Sequence, residues 1–191
     1  MNIIDTKING LLIIEPRVFA DDRGWFMESF NQQNFEHALH ERGLETPKFV
    51  QDNHSCSKKG VLRGLHYQLS PTAQGKLVRV VQGSAWDVAV DIRKNSPTFG
   101  QWVVVELSAS NHRQFWIPEG FAHGFLALEE NTQFLYKTTD YYSKEHERSI
   151  IWNDANLHID WSSQGVATDQ FIISSKDMEA PPLGDVSSIE L

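Results

Sequence analysis

Two short blocks of the sequence set proton-transfer groups beside turn and bulge formers. Arg63 and His66 lie three apart in Val61-Leu62-Arg63-Gly64-Leu65-His66-Tyr67-Gln68. Strand side chains alternate, so a regular strand sends these two to opposite faces. Gly64 between them can form a bulge that re-aims one, a device common beside active sites. The second block is Trp116-Ile117-Pro118-Glu119-Gly120-Phe121-Ala122-His123-Gly124-Phe125. Its Pro118 and Gly120 fix a turn that leads into a strand carrying His123, at the mouth of a barrel. Histidine titrates near neutral pH, so either ring can move a proton there. Taken alone, the commoner reading of each block is structural: a surface arginine, and histidines bonded to backbone. Tyr136 shares a strand face with Phe134 and, taken alone, reads as a core aromatic. Lys76 alone reads as a solvated lysine at a strand edge.

The elements that must position these groups are short strands. Leu11 to Phe19 reads as one strand, Ala20 to Gly24 as a turn, and Trp25 to Phe30 as the returning strand. Further strands are expected over Lys48–Ser57, Val61–Leu69, Lys76–Gln82, Ala85–Ile92, Trp102–Leu107, Gln114–Ile117, Ala122–Leu128 and Gln133–Thr138. In Ala85–Ile92 the alternation is clean, with Trp86, Val88, Val90 and Ile92 on one face and Asp87 and Asp91 on the other. Asn31 to Arg42 is the one good helix. Asn31 can cap its start, Phe35, Ala38 and Leu39 share a face, and Gly43 can end it. The tail from Ala180, with Pro181 and Pro182, reads as irregular packing or a short helix. So many strands with so little helix predict an all-β sandwich or jelly roll. There is no internal repeat or linker, so residues 1–191 are expected to form a single domain.

Composition narrows the partners. The 191 residues carry a net charge of −8 and six Trp and eleven Phe within a 40% hydrophobic content. That supports a packed core rather than disorder. An acidic chain with mean hydropathy of −0.39 is a poor fit to nucleic acid, which wants a basic field. A local cluster of Arg and Lys can still bind a small anion. Cys56 is the only cysteine, so no intrachain disulfide can form. No signal peptide and no membrane span are legible, and a cytoplasmic protein is expected.

Pro118, Gly120 and His123 match the P-x-G-x-x-H pattern that resembles the later motif of the cupin superfamily. Metal-binding cupins pair it with an earlier His-x-His. Here that place reads His66-Tyr67-Gln68, and the next Glu is Glu106. His66, Gln68 and His123 are a poor ligand set, so no metal and no other cofactor is expected. The likeness is closer to one cupin family and runs through nearly the whole chain. Gln51-Asp52-Asn53-His54-Ser55, the Arg63–His66 block, Gln74-Gly75-Lys76-Leu77-Val78-Arg79 and Asp87 to Arg93 resemble the dTDP-4-dehydrorhamnose 3,5-epimerase family (dTDP, deoxythymidine diphosphate). Ser96 to Gly100, Ile117 to Phe125, Phe134-Leu135-Tyr136-Lys137 and Ile151 to Asp154 continue the likeness in order.

The resemblance implies a homodimeric, cupin-type jelly roll with a few short helices. It also implies an isomerase that inverts C3 and C5 of a dTDP-4-keto-6-deoxy sugar. In it His66 matches the base, Asp177 its carboxylate partner, Tyr136 the proton donor, and Lys76 and Arg63 cations near the enolate. His123 matches a sugar contact. Arg23, Glu28, Gln51, Asn53, Glu147 and Lys176 match nucleotide-binding positions, Tyr142 a residue that stacks on thymine, and Phe19 a support of the same pocket. Three other readings stay open: a relative that inverts C3 or C5 alone, a metal-dependent cupin oxygenase, and a sugar-binding cupin without activity.

Overall fold

A computed structural model of the protein describes residues 1–185. Two antiparallel sheets face each other. The first has the order β1 (Asn2–Asp5), β2 (Leu12–Glu15), β10 (Gln114–Ile117), β7 (Lys76–Gln82), β12 (Thr132–Thr138), β5 (Gln51–Ser57). The second runs β13 (Glu147–Ser149), β6 (Val61–Gln68), β11 (Phe121–Ala127), β8 (Ser84–Asp91), β9 (Trp102–Ser108). A short β14 (Ile172–Ile173) joins β6 in parallel. A separate hairpin of β3 (Val18–Asp21) and β4 (Gly24–Met27) stands outside both sheets.

Alternation along the strands produces the layers. Val78, Val80, Phe115 and Phe134 of the first sheet meet Ala85, Ala89, Val105 and Phe125 of the second in the central core. Phe125 and Phe134 stack with centroids 4.3 Å apart. The opposite face of the second sheet is apolar too. Trp86, Val88, Val90 and Ile92 are buried there with Ile150, Leu157, Trp161, Val166 and Leu183 of the C-terminal segment. That covering explains why every residue of β8 is buried, Asp87 and Asp91 included. The first sheet's outer face carries α1 (Gln32–His40), which packs Phe35 and Leu39 against Leu12, Ile14, Leu77 and Trp116.

The helix is punctuated as the sequence predicts. The Asn31 side chain accepts from the Asn34 amide. Gly43, at φ +66°, lets the amides of Gly43 and Leu44 return to the carbonyls of His40 and Leu39. The strand boundaries need correction. Leu11–Phe19 is not one strand, because Pro16 has no N–H to give a ladder, and β2 ends at Glu15 before β3 restarts at Val18. Ala20 and Asp21 belong to β3 rather than to the turn. The strand expected from Trp25 to Phe30 stops at Met27, and that from Lys48 begins at Gln51. A four-residue helix α2 (Ser175–Met178) and a 3-10 turn at Leu183–Asp185 occupy the C-terminal stretch. The last part of the tail lies outside the described residues.

Candidate active site

The bulge at Gly64 is the local feature on which the site turns. His123 of β11 pairs with His66, and Phe125 pairs with Arg63, so Gly64 and Leu65 together oppose Gly124. This extra residue resets the alternation of β6. Leu62, Leu65 and Tyr67 all pack into the outer core, and Arg63 and His66 therefore share the inner face. A regular strand would have separated them. A Cβ on Gly64 would lie 2.5 Å from the Gly124 Cα, and one on Gly124 would lie 2.7 Å from the Arg63 carbonyl. Only glycine fits either side of this contact.

His66 Nε2 lies 2.6 Å from Asp177 Oδ1. Asp177 is buried on α2, where the Ser174 hydroxyl holds its amide, and its Oδ2 accepts from the Gly64 amide at 3.5 Å. Burial acts to raise the Asp177 pKa, but the hydrogen bond and charge of His66, with the bonds from Ser174 and Gly64, hold it below its ordinary value. The carboxylate on Nε2 fixes the ring and leaves Nδ1 for a substrate.

His66, Lys76 and Tyr136 line one cavity of about 130 Å³ between the sheets, together with Gln51, Asn53 and Glu147. Tyr67, Gln68, Gln74 and Tyr142 complete its wall. Lys76 is on an interior strand, not at a sheet edge, and its Nζ donates to the His66 carbonyl at 3.4 Å. Desolvation brings its pKa down to about 8, against the opposing pull of Asp87 and Glu147. Tyr136 extends from β12 next to Phe134. Burial raises its phenol pKa, helped by Glu147 and opposed by Arg63, so the hydroxyl stays protonated through the neutral range. Arg63 Nε donates to Ser57 Oγ at 3.3 Å.

Gln51 and Asn53 share a face, as their spacing predicts, and are bonded at 3.0 Å. The Gln51 carbonyl oxygen Oε1 also accepts from the Tyr142 amide. Glu147 accepts from the Tyr142 hydroxyl at 3.0 Å and from Lys176 Nζ at 2.5 Å. Burial would raise its pKa, yet these bonds and the nearby charges of Lys176 and His66 keep it low.

His123 is buried, and its Nε2 is 2.8 Å from Asp87 Oδ2 rather than from a backbone carbonyl. Burial lowers its pKa, against the pull of Asp87. Asp87 is the residue that sequence reasoning missed. The available signal was an acid inside a run of Ala, Trp and Val.

Arg23 and Glu28 are not brought to the cavity. Arg23 sits at the tip of the β3–β4 hairpin, paired with Asp21. Glu28 accepts from Asn31 and Asn34 and lines a different surface hollow, which Phe19 and Phe26 also border. Among the described residues no three His, Cys, Asp or Glu side chains cluster to hold a metal. Gln68 is already engaged by Thr72, Tyr141 and Ser143.

Paired sheets with ionisable groups gathered between them make this an enzyme of the cupin-type jelly-roll class. The family model described as dTDP-4-dehydrorhamnose 3,5-epimerase matches residues 5–185. A Shigella flexneri dTDP-4-dehydrorhamnose 3,5-epimerase is 57% identical over 185 residues, covering 97% of each chain. Its Salmonella typhimurium counterpart is 56% identical over 183 residues, covering 96% of each. A Legionella pneumophila dTDP-6-deoxy-D-glucose-3,5-epimerase, solved in complex with dTDP-4-keto-L-rhamnose, superposes with a TM-score of 0.90. It is 53% identical, with 97% of this chain and 94% of that one covered. The chain belongs to the dTDP-4-dehydrorhamnose 3,5-epimerase family.

Proposed function

We propose that this chain inverts C3 and C5 of dTDP-4-dehydro-6-deoxy-D-glucose, giving dTDP-4-dehydro-β-L-rhamnose, by proton transfer on opposite faces of the sugar. The observation that carries this reading is the single cavity shared by His66, held by Asp177, and Tyr136. The C4 ketone acidifies the hydrogens on C3 and C5. His66 Nδ1 takes one of them, and the electron pair moves into an enolate at C4. Lys76, His123 and Arg63 stabilise the enolate oxygen and its neighbours, a contribution of about 3 kcal/mol per well-placed donor. Tyr136 returns a proton from the other face. Solvent then takes the proton from His66 and replaces the one Tyr136 gave. Gln51, Asn53, Glu147 and Lys176 hold the nucleotide, with Tyr142 stacked on thymine.

The test is turnover of dTDP-4-keto-6-deoxy-D-glucose in heavy water. Deuterium at both C3 and C5 is expected. Label at one carbon would make the protein a single-centre epimerase, and label at neither would end the reading.

Residues 1–191 act as one epimerase domain in this reading, and the working unit is a homodimer. Phe19, Trp25 and Phe26 are 50%, 59% and 69% exposed on the β3–β4 hairpin, an apolar surface suited to a second copy. From that hairpin Arg23 reaches substrate only across such an interface, and Glu28 follows just after it. A cytoplasmic site of action agrees with the single free Cys56, and no helix among the described residues is long and apolar enough to cross a membrane.

Two results are expected from this site. Full activity should survive exhaustive chelation, because His66 and His123 are each bonded to a carboxylate and Gln68 is engaged elsewhere. Loss on chelation with rescue by one added metal ion would contradict the proton-transfer scheme. Second, kcat should fall as pH rises through about 8, where Lys76 loses its charge. A profile flat up to lysine's ordinary value of about 10.4 would remove Lys76 from the charged step.

A further inference from the structure

Besides Arg63, which shares the inner face of β6 with His66, six strands send ionisable side chains toward the space between the sheets. These are His66 from β6, Lys76 from β7, Asp87 from β8, His123 from β11, Tyr136 from β12 and Glu147 from β13. Five have a role in the scheme above, and Asp87 has none. Its side chain is fully buried, flanked along β8 by Ala85 and Ala89 and opposed in register by Phe125 and Val105. Oδ2 accepts from His123, while Oδ1 has no hydrogen-bond partner among the described residues. A carboxylate in such surroundings is costly unless a cation neutralises it. Burial pushes the Asp87 carboxyl up, and the charge and hydrogen bond of His123 at 2.8 Å, then the charge of Lys76, oppose that rise. A packing role alone would be met by an apolar side chain, as at Trp86 and Val88 on the opposite face.

We propose that Asp87 is a positioning residue for the epimerisation: it holds the His123 ring with Nε2–H inward and Nδ1 toward the sugar, and keeps Lys76 an ammonium beside the C4 oxygen. The proposal rests on the epimerase reading given above. Burial already brings the Lys76 pKa down to about 8, and Asp87 and Glu147 oppose that drop. Removing the Asp87 charge lets it fall further, with Glu147 left to resist among the described residues. His66 and His123 lie on the same face and offer no negative charge, and Tyr136 is neutral. The alkaline limb of the rate profile must then move to lower pH.

The experiment compares wild type with Asp87→Asn, which keeps the shape and removes the charge, through kcat and KM for dTDP-4-keto-6-deoxy-D-glucose across pH. The expected result is a loss of about 10- to 100-fold in kcat at pH 8, with KM changed less than about threefold. The alkaline limb should shift down by about one pH unit, and activity should recover toward acid pH. An equal loss at every pH, or no loss, overturns the proposal. If Asp87→Asn does not fold, nitrogen NMR of histidine-labelled wild type decides. An Nε2-protonated His123 supports the proposal and an Nδ1-protonated ring overturns it. A wild type that fails to epimerise this substrate would instead remove the underlying function, while the tautomer still judges the Asp87 contact.

Discussion

His66→Ala is expected to lose about 10³- to 10⁴-fold in kcat/KM, with deuterium exchange at C3 and C5 falling together. Among the described residues, no other side chain on the cavity is placed to take that proton. Lys76 is a cation in the neutral range, and Glu147 is already bound by Lys176 and Tyr142. The substitution also strands the buried Asp177 carboxylate, at a cost of about 1–3 kcal/mol in stability. A small drop in Tm should therefore accompany the loss. His66→Asn separates the two effects, because an amide can still bond Asp177 but cannot act as a base. Near-normal exchange in a folded His66→Asn protein would mean that another group removes the proton.

Tyr136→Phe should behave differently. The ring packs beside Phe134, so the fold is expected to hold without the hydroxyl. Completed double inversion should slow by about 10²- to 10³-fold. Exchange should persist, because His66 can still remove a proton and return a solvent-derived one to the same face. The readout is the ratio of deuterium exchange to inversion, followed by NMR. That ratio should rise sharply over wild type. Unchanged double inversion would show that the proton donor lies elsewhere, and equal loss of exchange and inversion would place Tyr136 in proton removal instead.

The contrast between these variants follows from geometry that the sequence carried only in part. The Arg63–His66 block was legible because Gly64 flagged a possible bulge, and β6 uses it to turn both side chains inward. Strand content and the capping of α1 were legible from alternation and from Asn31 and Gly43. The break at Pro16 lies in its missing N–H, which interrupts an otherwise apolar run from Leu11.

Other parts depended on long-range folding. Asp177 lies 111 residues from His66, and spacing says nothing about a contact that forms only once the C-terminal segment wraps the second sheet. Asp87 alternates with Trp and Val, the pattern of a strand with one wet face. In the folded chain that polar face points between the sheets, and the apolar face is covered from outside. Lys76 reads as an edge lysine, but β7 lies between β10 and β12. Arg23 and Glu28 were matched by resemblance alone, and within one chain they stand away from the cavity.

The most direct test of the proton-transfer geometry is a structure of this protein with a bound dTDP-4-keto sugar. His66 Nδ1 and the Tyr136 hydroxyl should lie on opposite faces of the hexose ring, each about 3–3.5 Å from the position it serves at C3 or C5. Lys76 should approach the C4 oxygen. A sugar with both groups on one face, or seated outside the space between the two sheets, would contradict the account.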